Sequence, residues 1–109
     1  MVKAGDIVVV DFPGAQGIKR RPTIVVSSDV YHQSRPDVIV GLLTSQVASA
    51  TNPTDYLLQD WHVAGLQKPS AFRSFFATLP RTSITATIGQ TSDRDRQAIV
   101  ACVHAALMA

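Results

Sequence analysis

At 109 residues and 46% hydrophobic, the chain has the make-up of one domain with one core, too short for a nucleotide-binding domain plus a separate substrate domain. A formal net charge of +2 and a pI near 9.0 permit a nucleic-acid partner without requiring one. The N-terminus lacks the basic segment and apolar stretch of a secretory signal, and no apolar run reaches the ~20 residues of a membrane span, so a cytoplasmic protein with no membrane partner is expected.

Residues 6–12 read as a buried strand, because Ile7-Val8-Val9-Val10 is β-branched and bounded by Gly5-Asp6 and Phe12-Pro13. Residues 14–21 read as a Gly-bearing basic loop, and 23–28 as a second strand antiparallel to the first. Ser28 or Asp29 then caps a helical turn through His32, which Arg35-Pro36 stops. A third strand at 38–43 ends in the polar triplet Thr44-Ser45-Gln46. A small-residue loop at 47–53 leads to a short strand at 56–58, and a helical turn at 60–64 is capped by Asp60 and ended by Gly65.

Residues 70–78 form a further strand, Leu79-Pro80-Arg81-Thr82 a turn, and 84–88 the last strand. From Ser92 the hydrophobic period changes from two to 3.6. Ser92 with Asp95 is a near capping box, Asp93 and Asp95 complement the helix N-terminus, and Ile99, Cys102, Val103 and Ala106 share one face of a helix of about four turns. Short strands, turns and one terminal helix predict a mainly β (α+β) fold. It is a small SH3-like antiparallel β-barrel with short helical turns and a C-terminal α-helix, with residues 1–109 as a single domain.

The chemistry available to this fold is narrow. All eight acidic residues are Asp, and Asp6, Asp29, Asp37, Asp55 and Asp93 sit where turns or caps want them, so no carboxylate pair stands out. Cys102 has no disulfide partner and sits in an apolar context that makes it a core residue. His62 and His104 lack a His or Cys at zinc-ligand spacing, so neither metal nor cofactor is expected. His32 is the one histidine to consider as a proton carrier, with a surface turn residue as the alternative.

The informative residues are cationic. Arg20 and Arg21 precede Pro22, which holds the backbone before it extended. Arginine's planar fork suits phosphate, and Gly14 and Gly17 permit close approach of a ligand; a solvated basic loop is the alternative. The hydroxyls of Thr44-Ser45-Gln46 either meet a ligand or bond their own backbone. In the strand at 70–78, alternation sends Phe72 and Phe76 to the core. Phe75 and Arg73 go to the other face, which suits stacking a base and holding its phosphate.

The patterns G-D-I-V-x-V-x-F-P at 5–13 and R-R-P-x-I-V-V-S at 20–27, then Leu43-Thr44-Ser45-Gln46 and Ala64-Gly65-Leu66-Gln67-Lys68-Pro69-Ser70, resemble the MazF/PemK family of toxin endoribonucleases over nearly the whole chain. The resemblance implies a metal-independent, sequence-specific endoribonuclease that cuts single-stranded RNA (mRNA), acts as a homodimer and is neutralised by a cognate antitoxin. It also implies DNA as a partner through the toxin–antitoxin complex. It places the catalytic arginine on Arg21 and the catalytic threonine on Thr44. Lys19, Arg20, Ser45, Gln46, Lys68, Ser70, Arg73 and Phe75 are the expected RNA contacts. Where the better-studied pattern carries an acidic-Gln pair and then an Arg-Thr pair, this chain has Phe75-Phe76 and Ala77-Thr78. The alternatives are a non-catalytic CcdB-like binder of DNA gyrase, and an inactive antitoxin-binding relative.

Overall fold

In the computed structural model, which describes residues 1–14 and 17–109, the β-branched run at 7–10 becomes the middle of β1 (Asp6–Gly14). It pairs antiparallel with β2 (Gly17–Val25). Then come α1 (Asp29–Ser34), β3 (Asp37–Thr44), β4 (Tyr56–Leu57), β5 (Ala71–Pro80), β6 (Ala86–Gln90) and α2 (Asp93–Leu107). The six strands make one antiparallel sheet in the order β4-β5-β3-β2-β1-β6, curled into a half-barrel with α2 packed against it.

Side-chain alternation gives the central strands two apolar faces. Ile7, Ile24, Leu43 and Phe72 enter one cluster, covered by Ile99 and Cys102 of α2 and by Leu58 and Ala64. Val8, Val10, Phe12, Val25, Val38, Val40 and Leu42 enter the other. Gly41 is required here, because a Cβ would stand 2.4 Å from Cε1 of the fully buried Phe72. Truncating that ring to alanine costs about 3–5 kcal/mol.

Ser28 caps α1 by accepting from the Tyr31 N–H at 3.3 Å, and Ser92 caps α2 by accepting from the Asp95 N–H at 3.3 Å. The expected capping box is not completed in the usual way. Asp95 is fully buried and its carboxylate accepts from Tyr56 Oη at 2.6 Å, from the Gln59 N–H at 3.0 Å and from the Asp60 N–H at 2.8 Å. It therefore ties the helix to the β4 connection. Burial and this hydrogen bond push the Tyr56 phenol up to about 12.

Asp60 also differs from expectation, since its carboxylate caps nothing in its own turn. It accepts from Nε and the terminal nitrogen of Arg94 at 2.8 and 2.7 Å and from Ser92 Oγ at 2.6 Å, and the Arg94 and Ser92 bonds hold it well below the usual carboxylate range. The turn itself closes as expected. Gly65 adopts φ +91 and the Leu66 N–H bonds the Trp61 carbonyl at 3.1 Å, the six-to-one bond of a left-handed helix stop.

Several boundaries shift, and β2 ends at Val25 instead of 28, because the Val26 and Ser27 N–H groups share the Ile39 carbonyl instead of continuing the ladder. Residues 14 and 17–21, expected as loop, continue the β1–β2 hairpin to Gly14↔Gly17; ladder bonds alone sustain these strands where they project past the core, so they carry no hydrophobic signal. Residues 15–16 of that expected loop lie outside the described residues. β5 runs through Leu79 and Pro80, opposite Val38 and Asp37, and the turn there is a short 3-10 segment at Arg81–Ser83. The last strand is Ala86–Gln90 instead of 84–88, because it is set by pairing with β1 and by Gly89, whose absent Cβ would lie 2.5 Å from the Ala64 carbonyl oxygen. Ala106 is exposed, since α2 outruns the sheet.

A groove opened at Pro22

The pairing of β2 with β3 covers only Thr23↔Leu42, Ile24↔Gly41 and Val25↔Val40. It stops beside Pro22, which has no N–H to give a ladder. Past that point the basic half of β2 follows β1, with Arg21 opposite Val10 and Arg20 opposite Asp11. The end of β3 follows β5, with Thr44 opposite Ala71. Continuing the register by two residues puts Arg21 across the opening from Thr44, both on the sheet face of Leu42. Arginines 20 and 21 are thus strand residues, corrected from loop, and the ladder to β1 fixes their backbone.

Two adjoining hollows meet at this opening. The first, about 480 Å³, is bounded by Lys19, Arg20, Arg21 and Pro22 on one side, by Thr44, Ser45 and Gln46 on another, and by the Leu66–Lys68 connection and Ser70. The second, about 610 Å³, carries Arg73 and Phe75 with Phe12 and Pro13. Arg21, Thr44 and Gln46 line both. Arg21, Thr44 and every residue expected from the sequence to contact RNA therefore border one of two connected hollows.

Their individual states differ. Arg21, Lys19 and Lys68 have no carboxylate within 4.0 Å among the described residues, so their charge is available to a ligand. Arg20 pairs with Asp11 at 3.3 Å in an exposed contact, which water screens. Thr44 Oγ1 accepts from the Gln46 N–H at 3.1 Å; this is the local backbone bond such residues favour, and it leaves the hydroxyl proton free to donate outward. Ser70 is buried and its hydroxyl donates to the Lys68 carbonyl at 2.9 Å, so it shapes the turn that presents Lys68. Ser45 is exposed beside them.

Arg73 approaches Asp55 at 3.9 Å, and its guanidinium lies 4.6 Å from the centre of the Phe75 ring. The expected Phe75–Arg73 face is present, and Phe72 is buried with the partly buried Phe76 at 6.3 Å. Sequence reasoning did not single out Phe12, Ser49 or Ser74, which also border the second hollow. The apolar strand at 6–12 held a signal for Phe12; nothing local marked the other two.

His32 is neither a surface residue nor near the groove. It is buried, with Nε2 at 2.6 Å from Ser27 Oγ, while Arg81 donates to the carbonyls of His32 and Arg35. Cys102 is buried, its Sγ 3.7 Å from the Asp55 carbonyl, and burial pushes its thiol up. Among the described residues no three His, Cys or Asp side chains are grouped to hold a metal ion, and no helix is long and apolar enough to cross a membrane.

Comparison with known proteins adds the following. Residues 3–107 match the family model described as PemK-like, MazF-like toxin of type II toxin-antitoxin system. No curated protein is a significant sequence match. The fold is similar to a mycobacterial endoribonuclease in complex with its cognate antitoxin, with TM-score 0.80 and 18% identity over 98% of this chain and 95% of that one. It is also similar to the Mycobacterium tuberculosis toxin MazF-mt6, with TM-score 0.75 and 20% identity over 93% and 94%. A third similar structure is MazE-MazF from Deinococcus radiodurans, with TM-score 0.73 and 18% identity over 98% and 95%.

Proposed function

The chain belongs to the PemK-like, MazF-like toxin family of type II toxin-antitoxin systems, and on that premise we propose that it is a sequence-specific endoribonuclease that cuts single-stranded RNA without a metal ion. The observation that carries this reading is the facing of Arg21 and Thr44 across the mouth beside Pro22, with no carboxylate near the arginine among the described residues.

Cutting RNA this way joins the 2′-oxygen to phosphorus and breaks the bond from phosphorus to the 5′-oxygen. The 2′-proton leaves, and the departing 5′-oxygen is protonated. Products are a 2′,3′-cyclic phosphate, opening to a 3′-phosphate, and a 5′-hydroxyl. Arg21 meets the negative charge that grows on the non-bridging oxygens, and donors preorganised in this manner supply about 100-fold or more in rate. Thr44 donates its hydroxyl proton to one of those oxygens while the Gln46 N–H holds its oxygen in place. Lys19, Arg20 and Lys68 hold the flanking backbone.

In the same reading an acidic segment of a cognate antitoxin competes for this positively charged groove. Two copies of the chain extend it across a two-fold axis, since one 109-residue barrel offers a short groove. Sedimentation of an active, stable monomer at micromolar concentration would contradict the dimer.

The test is cleavage of unstructured RNA in EDTA, with the ends mapped. Cutting should persist in EDTA, leave the termini given above, and stop when deoxyribose replaces ribose at the scissile nucleotide while binding is kept. Cutting of the deoxy strand, or activity lost in EDTA and restored by magnesium, overturns the mechanism. Absence of cutting points to a toxin that binds a protein target, or to an inactive relative.

A further inference from the structure

β5 carries two residues more than its partner needs: Gly41 pairs with Phe76 and the next residue, Leu42, pairs with Arg73. Ser74 and Phe75 are the extra pair. Such a bulge bends the strand and re-aims its side chains. Ser74 is pulled inward, its hydroxyl donating to the Thr54 carbonyl at 2.7 Å. Phe75 is turned outward and is 52% exposed, although Phe72 three residues earlier is fully buried.

Phe75 is not a loose surface aromatic. The Arg73 guanidinium lies 4.6 Å from its ring centre, and Arg73 is itself only 22% exposed, beside an Asp55 side chain that is 3% exposed. A buried carboxylate thus attracts the arginine across 3.9 Å without hydrogen-bonding its Nε, and the arginine lies over the ring. This arrangement assigns Arg73 a use other than gripping phosphate, because its charge is already shared between Asp55 and the ring quadrupole. The uncovered part of the ring borders the second hollow, which shares Arg21 and Thr44 with the first.

We infer that Phe75 is a stacking platform for one nucleobase next to the scissile phosphate, with Arg73 as the positioning residue behind it; this rests on RNA being the ligand of the groove. A flat π-face supplies affinity for any base. Discrimination comes from Gln46, whose backbone is held by bonds to Thr44 Oγ1 and Ser49. Its side-chain amide offers a donor and an acceptor to the base edge.

The experiment uses a non-cleavable RNA, deoxy at the scissile position, carrying 2-aminopurine at each flanking position in turn, and in parallel the cleavable strand with an abasic site at the same positions. Binding to the wild-type protein should quench 2-aminopurine at one position, and Phe75→Ala and Phe75→Leu should abolish that quench while Phe75→Tyr keeps it. Phe75→Ala should lower kcat/KM on the order of 10-fold, and an abasic site at the quenched position should cost the wild type as much and the variant nothing more. Arg73→Gln should weaken the quench without moving its position. Equal quenching by wild type and Phe75→Ala, or additive losses from Phe75→Ala and the abasic site, overturns the inference even if RNA is cut. Quenching without cutting keeps the platform and rejects the nuclease reading. Absence of RNA binding overturns both.

Discussion

The N-terminal end of α2 and the mouth beside Pro22 are built from the same kinds of residue and treat charge in opposite ways. At the helix, Asp95 takes three donors, and Asp60 takes both prongs of Arg94 and the hydroxyl of Ser92. At the mouth, Arg21, Lys19 and Lys68 have no carboxylate near them among the described residues. Where the chain cancels charge it is fastening one element to another. Uncancelled charge of one sign, gathered at a hollow, raises the local concentration of an oppositely charged ligand.

The contrast is broken most severely from the helix side. Asp95→Ala strands the Tyr56 hydroxyl and the Gln59 and Asp60 N–H groups, and should lower unfolding free energy by about 3–5 kcal/mol in a denaturant titration, with cleavage per folded molecule unchanged. A loss below about 1 kcal/mol would mean water replaces the carboxylate at little cost.

From the groove side the expectation inverts. Arg21→Ala should reduce cleavage by about 100-fold or more with an unchanged melting temperature, since it removes transition-state charge and little packing. Thr44→Val, which keeps shape and removes the hydroxyl, should lose most of the activity. Full activity in a folded Arg21→Ala protein would remove the arginine from the mechanism.

Salt sharpens the comparison between paired and unpaired cations. Lys19, Arg20, Arg21 and Lys68 contacting four phosphates of a single strand predict a log–log slope of binding against salt of about −3. Lys68→Gln should reduce it by about 0.7, and Arg94→Gln, at the neutralised site, should leave it unchanged.

The smallest effects are titrations at the helix site. Asp60 is held low by Arg94 and Ser92, so its stabilisation is complete above the ordinary carboxylate pKa of about 4 and is lost as pH falls through the lower folded value. Asp60→Asn should flatten stability over that acid range. Tyr56 is raised to about 12, so its share is complete below the ordinary phenol pKa of about 10 and is lost as pH rises from there through the raised folded value. Ultraviolet absorbance should show one tyrosine ionising late, and Tyr56→Phe should remove it.

Much of this architecture was legible in the sequence because its signals are local. The β-branched runs at 7–10 and 24–26 and the 3.6 period after Ser92 each announce an element without reference to the rest of the chain. The outer half of the hairpin was not legible, since residues such as Lys19 and Arg20 lie beyond the core and show neither period. Asp60 and Asp95 read as caps, because the groups they bind lie over thirty residues away. Arg21 and Thr44 stood out by type and by family resemblance. The outward face of Phe75 followed from alternation, whereas the adjacency of Arg21 and Thr44 and the bulge at Ser74-Phe75 depend on strand register that no local pattern encodes.

Pro22 ends the β2–β3 zipper one residue short of the cations, and this separates what holds the sheet from what faces the groove. Residues 19–21 and 44–46 lie outside that ladder, so exchanging their side chains leaves the Thr23↔Leu42 register and both apolar clusters undisturbed. A change of side chain in the groove therefore need not cost the barrel its stability.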